Sequence, residues 1–234
     1  SIAKIIKNKY LDWWTYWENL ILYRTNGQSR GLEEALLMEA IPYKVVWGLK
    51  FYDRKEIKDL LAYLKIILNP NDVVGLKRII NTPPRKIWPT TLEKLDQYSA
   101  DFWISYADIM ENIEEVDELN NWAKTSISSF YQIIEDLKSQ AKIYSVFDMI
   151  DYIIEKIQYK AYLEKESDTK EEYEAKLDNI SELKNVASNY NWIEPSEALT
   201  LFLEEISLMT DLENKDNNAL DFVTLMTIHT SKWL

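Results

Sequence analysis

Three short stretches carry residues whose chemistry suits phosphate. Arg24 follows the apolar run Leu20-Ile-Leu-Tyr23 and precedes Thr25-Asn-Gly27, so it sits where a buried strand enters a loop. A guanidinium there presents a fixed fork of donors that matches phosphate oxygens and the charge that develops in phosphoryl transfer. A surface salt bridge to Glu33 or Glu34 is its plainer use. The second stretch, Thr82 to Thr91, is Pro-rich and basic, with Arg85 and Lys86 ahead of a helical pattern; it reads as a phosphate-contacting turn or as a simple interhelical loop. Lys77 and Arg78 are weaker candidates. In the third, Thr227, His229, Thr230, Ser231 and Lys232 belong to or follow the apolar run Phe222 to Ile228, and their hydroxyls suit phosphate hydrogen bonding.

Other chemistries lack residues. With no cysteine there is no disulfide scaffold, thiolate metal site or cysteine nucleophile, and one histidine argues against zinc and against a Ser–His–Asp triad. The pairs Glu33/Glu34, Glu114/Glu115 and Glu204/Glu205 read as solvated helix faces. Tyr152, Tyr159 and Tyr162 read as core and rim.

The elements that must position these residues are mostly helical. After the first strand, Leu32, Leu36 and Leu37 predict a helix over 28–40, ended by Pro42, and Tyr43 to Val46 a second strand. Strand, helix, strand suggests a parallel α/β unit. From Asp53 the period becomes 3.6: Ile57, Leu60, Leu61, Leu64 and Leu68 form one stripe, stopped at Asn69-Pro70. Val73 to Ile80 is a shorter helix, and Thr90 or Thr91 caps the next. Helical patterns follow at 103–112, 122–139, 145–157, 168–190 and 196–208, then a polar loop at Asn214–Asn218 and a final strand at 222–228. The fold class expected is mostly α with a small parallel α/β part, a helical block inserted between pieces of one sheet.

At 234 residues, 47% apolar and 28% charged, the chain is long enough for one domain or two small ones and is not a disordered composition. No run approaches 18 uncharged apolar residues and Ser1 to Tyr10 does not read as a signal peptide, so the expectation is a soluble, cytoplasmic protein without a membrane partner. The net charge of −12 hides a split: residues 1–100 hold 16 basic and 11 acidic side chains, residues 101–234 hold 11 and 28. Screening confines a surface charge to about 8–10 Å, so a basic patch within 44–94 can still meet a nucleic acid.

These stretches also carry a resemblance. Ile21-Leu-Tyr-Arg-Thr-Asn-Gly-Gln-Ser-Arg30, Leu32-Glu-Glu-Ala-Leu36 and Ile41-Pro-Tyr43 resemble motif IV of UvrD/PcrA/Rep-type superfamily 1 DNA helicases. Gly48-Leu-Lys-Phe51 with Arg54-Lys-Glu-Ile57, Asp59 and Ala62-Tyr-Leu64 is similar to the start of that family's 2B subdomain. Asn81-Thr-Pro-Pro-Arg-Lys-Ile87 resembles the stretch before its duplex-contacting turn, and Val223-Thr-Leu-Met-Thr-Ile-His-Thr-Ser-Lys232 resembles motif V. The resemblance implies a piece of an ATP-dependent 3′–5′ helicase: 1–50 as the first part of a RecA-like 2A subdomain, 51–217 as a helical 2B insertion, and 218–234 as the return to 2A. It implies that Arg24 contacts the γ-phosphate of ATP. Thr82, Arg85, Lys86, Ile87, Trp88 and Thr90 would meet duplex DNA; Thr227, His229, Thr230, Ser231 and Lys232 would meet the single strand. ATP and Mg2+ would be held by the parent enzyme, with no nucleotide bound or hydrolysed by this piece alone, and a repair protein is a partner for 2B. An acidic helical protein-interaction module and a recombination helicase–nuclease subunit are the competing readings.

One compositional oddity remains. The chain has 4 Gly and 9 Trp, where average usage gives about 16 Gly. Trp47, Trp88 and Trp233 fall where the family pattern has glycine, and Trp13, Trp14 and Trp17 crowd a stretch that suits a glycine-rich turn. UGA codons read as glycine in the source and written as tryptophan would explain both counts; the alternative keeps Trp13, Trp103, Trp122 and Trp192 as aromatic core.

Overall fold

A computed structural model describes residues 1–11, 14–24, 26–46, 48–216 and 220–228, with the side chains of residue 26 and of residues 212–216 left aside. The order is α1 (Ile2–Leu11), β1 (Leu20–Tyr23), α2 (Ser29–Met38), β2 (Tyr43–Val45), α3 (Lys55–Leu68), α4 (Val73–Ile79), α5 (Pro89–Phe102), α6 (Tyr106–Glu111), α7 (Asn121–Gln140), α8 (Val146–Lys156), α9 (Tyr159–Lys165), α10 (Lys170–Ser188), α11 (Pro195–Asp216) and β3 (Val223–Thr227). The chain is therefore mostly helical with a three-stranded sheet, as its patterning predicts. Among the described residues no helix is long and apolar enough to cross a membrane.

Two compact units form. The first comprises Ser1–Lys58, Asp168–Leu183 and Glu204–Leu234; the second comprises Asp59–Ser167 and Lys184–Leu203. The compact units divide inside α3, before α10, inside α10 and inside α11; the boundaries at 50/51 and 217/218 are those that the resemblance implies for its subdomains.

In the first unit, β3 lies between β1 and β2 and runs parallel to both, pairing Leu22 with Met226, Tyr23 with Thr227 and Val45 with Leu225. Segments some 200 residues apart in sequence thus share one sheet, and the connections between parallel neighbours are long, as parallel pairing requires. Ala3, Ile6, Tyr23, Leu36, Leu37, Ile41, Tyr43, Val223 and Leu225 form the core beneath one face. Full burial of each large aliphatic chain there is worth about 1.5–3 kcal/mol. β1 is less buried than its composition predicts: Leu20 and Leu22 are half exposed, because only Tyr23 and Ile21 turn toward that core.

The second unit is helical. Side-chain caps begin its helices: Asp72 accepts from Gly75 N–H, Ser105 from Asp108, Asn120 from Ala123 and Ser145 from Asp148, each worth about 1 kcal/mol. Leu64, Leu76, Leu95, Phe130, Ile150 and Tyr159 are among the fully buried residues.

Several expectations need correction. Leu68 ends its stripe 43% exposed. Neither Thr90 nor Thr91 caps α5; Trp88 is the N-cap, Pro89 opens the helix, and both threonines lie in the first turn. The helix expected over 103–112 begins only at Tyr106, because Trp103 adopts a left-handed conformation that closes α5 and Ser105 caps α6. Asn214 to Asp216, expected as loop, extend α11. Seven-residue α9 and N-terminal α1 went unforeseen. Trp103, Trp122 and Trp192 are no core residues: they are 94%, 58% and 83% exposed. Glu33 is not on a solvated face; it is 1% exposed, for reasons given below.

Candidate phosphate and nucleic-acid contact sites

The first site is built on the C-terminal edge of the sheet. Parallel strands deliver their following loops to that edge, where open α/β sheets place ligands. Because Tyr23 is paired with Thr227, the loop after β1 and the exit of β3 leave the sheet together, joined by the Ile228 N–H donating to the Tyr23 carbonyl at 2.9 Å. Arg24 begins the first of these loops. Its N–H donates to Gln28 Oε1 at 3.0 Å, which fixes the backbone. Its guanidinium is exposed and bonds to no described residue.

The carboxylates that could have neutralised Arg24 are engaged elsewhere. Glu33 Oε2 accepts from Tyr43 O–H at 3.2 Å and from Phe51 N–H at 3.1 Å, and Oε1 lies 3.9 Å from Arg54 Nη2. Glu34 Oε1 accepts from Arg30 Nη1 at 2.7 Å and from Tyr52 O–H at 3.0 Å. Burial first, and the Glu34 charge second, push the Tyr52 phenol far above its ordinary range, so it stays a donor.

Beneath the loop lies a buried polar group that sequence reasoning missed. Arg54, 7% exposed, donates Nη2 to Ser29 Oγ at 2.6 Å and Nη1 to Asn179 Oδ1 at 2.6 Å; Asn179 in turn donates to Glu56 Oε1 at 2.6 Å. Ser29 is the first residue of α2, so this group anchors the helix on which the Arg24 loop ends. The density of charge in Asp53-Arg-Lys-Glu56 was a usable signal. Nothing local marks Asn179, which is 125 residues away.

The second site is the turn from Asn81 to Thr91. Asn81 Oδ1 accepts from the N–H groups of Arg85 at 2.6 Å and Ile87 at 3.3 Å. The Arg85 guanidinium points into its own turn: Nη1 donates to the carbonyls of Ile79, Ile80 and Pro83, Nη2 donates to Tyr63 O–H at 2.7 Å, and its plane lies over the Phe130 ring. Tyr63 O–H donates to the Thr82 carbonyl at 2.6 Å, and burial pushes this phenol up to about 12 while the Arg85 charge pulls the other way. Ile87, 1% exposed, is a buried anchor.

What the turn leaves open is backbone. The N–H groups of Lys86, Trp88 and Thr90 bond to no described residue. Lys86, at φ 62°, carries its ammonium 4.9 Å from the centre of the Trp122 ring. A cavity of about 280 Å3 lies here, lined by Lys86, Trp88, Thr91, Asn120, Trp122 and Ala123. Lys77 and Arg78 are committed to Asp96 and Asp59.

The third site is described only at its start. Thr227 is half-buried at the end of β3, while His229, Thr230, Ser231 and Lys232 lie outside the described residues. Thr82, Arg85, Lys86, Ile87, Trp88 and Thr90 fall in the second unit; Arg24 and Thr227 fall in the first. At the sheet edge the described residues present the exposed guanidinium of Arg24; among them no three histidine or acidic side chains gather into a metal-binding group.

Comparison with known proteins gives a consistent picture. Residues 1–234 match the model of the UvrD-like helicase C-terminal domain. The chain is 39% identical over 221 residues to the ATP-dependent DNA helicase PcrA of Staphylococcus epidermidis, which covers 94% of this chain and 30% of that protein. It is 38% identical over 221 residues to PcrA of Bacillus subtilis, covering 92% of this chain and 29% of that protein. The chain thus spans about a third or less of the relatives it matches.

Proposed function

Because this chain belongs to the UvrD-like helicase C-terminal domain family, we propose that it is the 2A and 2B part of an ATP-dependent 3′–5′ DNA helicase. In this reading the sheet, α1 and α2 belong to 2A and the helical remainder to 2B. The observation that supports it best is the shared sheet edge, where the exposed Arg24 and Thr227, at the end of β3, leave the sheet side by side.

Arg24 reaches the γ-phosphate of ATP, the rest of whose site, with Mg2+, is contributed by other parts of the parent. Its fork stabilises the charge that builds on the phosphoryl oxygens. Thr227 and the stretch His229 to Lys232 contact the phosphates of single-stranded DNA, so that one edge of one sheet senses nucleotide and strand together. The Asn81–Thr91 turn meets the duplex through the amides of Lys86, Trp88 and Thr90 and the Lys86 ammonium. Thr82, Arg85 and Ile87 act by shaping the turn.

A duplex-binding titration of this chain tests the reading. Weak binding is expected that falls about tenfold or more between 50 and 200 mM salt, as two or three phosphate contacts require, and Lys86→Ala should weaken it further and flatten that dependence. Absence of binding at low salt refutes duplex engagement and favours an acidic protein-interaction module. Alone, the chain should not hydrolyse ATP; DNA-stimulated turnover by it would contradict the assignment.

A further inference from the structure

The aromatic residues of this protein divide by type: Phe and Tyr supply the buried rings, with Phe102, Tyr10 and Tyr144 exposed, whereas no described tryptophan is buried. Phe51, Tyr63, Phe130, Tyr159 and Phe202 are all under 2% exposed, so the core readily takes large rings. Tryptophan has the most apolar surface to bury and is highly buried on average. Yet all six tryptophans whose surroundings are described stand in solvent: Trp14 at 50%, Trp17 at 65%, Trp88 at 65%, Trp103 at 94%, Trp122 at 58% and Trp192 at 83%. One exposed ring needs no explanation; six of six against a core of Phe and Tyr does.

Backbone conformation sharpens the anomaly. Trp103 closes α5 at φ 56°, ψ 37°, with the Ile104 N–H reaching back to the Ser99 carbonyl. This left-handed helix-ending position is the one glycine most often fills, and a Cβ there costs about 1–2 kcal/mol. Exposed as it is, the Trp103 ring returns nothing for that strain. Trp88 is the N-cap of α5 without a side-chain cap bond, a place favoured by Ser, Thr, Asp, Asn or Gly. Among the described residues no glycine has a positive φ; Ala40, Lys86, Trp103 and Gln158 do. At Trp122 the backbone is plain helix and asks for no glycine, and Trp192 makes one bond, Nε1 to the Asn189 carbonyl.

We propose that the tryptophan positions of this chain are glycine positions, encoded by UGA that the source organism reads as glycine. The four glycines and nine tryptophans then make 13 glycines, near the ordinary share. At residue 88 the consequence touches the proposed duplex contact: without the indole, which lines the cavity beside Lys86, less bulk stands near the turn whose amides a phosphate would approach.

The nine codons and the peptide masses of the protein isolated from its source decide the question. UGA at Trp88 and Trp103 with glycine masses at both supports the proposal; UGG at both overturns it, whatever the DNA-binding result. On the protein with the present sequence, Trp103→Gly should raise the melting temperature by about 2–4 °C, and Trp103→Ala, which keeps Cβ, should not. A fall with Trp103→Gly overturns the backbone argument. If duplex binding occurs at all, the Trp88→Gly/Trp122→Gly pair should hold or tighten it. A tenfold loss would mean that the indoles are a stacking platform, and the proposal fails.

Discussion

Arg24 and Arg85 carry the same guanidinium, in two regions built on different terms. At the sheet edge, Arg24 has its backbone pinned by Gln28 and its exposed guanidinium bonded to no described residue. In the Asn81–Thr91 turn, Arg85 has its guanidinium spent on three carbonyls, a phenol and a ring face. The first region presents charge; the second uses charge internally to hold amides in place. The C-terminal end of α4 decides the difference: its carbonyls run out of helical partners there, Ile79 accepting from the Thr82 N–H at 3.0 Å, and the Arg85 guanidinium adds a bond to Ile79 and one to Ile80. Availability of an arginine is therefore a property of the acceptors around it.

The widest separation between the two regions should appear in catalysis. In the full-length parent, Arg24→Ala should lower ATP turnover about 1,000- to 100,000-fold, the range for an arginine that stabilises phosphoryl transfer. Its unfolding free energy should move by no more than about 0.5 kcal/mol. A variant that keeps its turnover, or that loses stability instead, erases the contrast.

Arg54 marks the opposite extreme within the Arg24 region. Arg54→Met leaves Glu33, Ser29 and Asn179 without their shared donor, and breaking such a buried charged group costs about 3–5 kcal/mol. Urea unfolding measures it; a cost under about 1 kcal/mol would show that the group is not what anchors α2. Arg85→Ala is expected to cost somewhat less, about 2–3 kcal/mol, because its acceptors are mostly neutral carbonyls. Lysine should not restore it, since a single ammonium cannot serve carbonyls and phenol together. Full rescue by Arg85→Lys would mean that charge alone matters in this turn, as at Arg24.

What the sequence disclosed follows the range of the interactions. The strands at 20–23 and 43–45, the helices α2 and α3, and the return at 222–228 were legible because apolar period and turn residues are local signals. Glu33 was misread as solvated because everything that buries it comes from elsewhere: Tyr43, the Phe51 amide and Arg54. The commitment of Arg85 was equally hidden, for nothing in Pro83-Pro-Arg-Lys86 says that Tyr63 and the end of α4 will be its acceptors. Helix ends failed for a related reason: Trp103 stops α5 through a backbone angle that no propensity for tryptophan suggests. Local pattern fixed elements and candidate residues; which candidates stay free was a tertiary outcome.

The smallest expected effect reports on the Arg85 turn from inside. Tyr63 is fully buried, and its phenol ionises at about 12 in the folded chain against an ordinary value of 10.0. The unfolded chain gives up this proton first, so the contribution to stability is whole below pH 10 and drains away between about 10 and 12; two pH units correspond to at most about 2–3 kcal/mol. Tyr63→Phe should therefore show a shallower loss of stability over that window than the parent sequence. Arg85→Ala should push the Tyr63 ionisation higher still, because the guanidinium beside it favours the phenolate. Were that variant instead to bring the ionisation down toward 10, water would have entered the turn, and Arg85 would be sealing the turn rather than organising it.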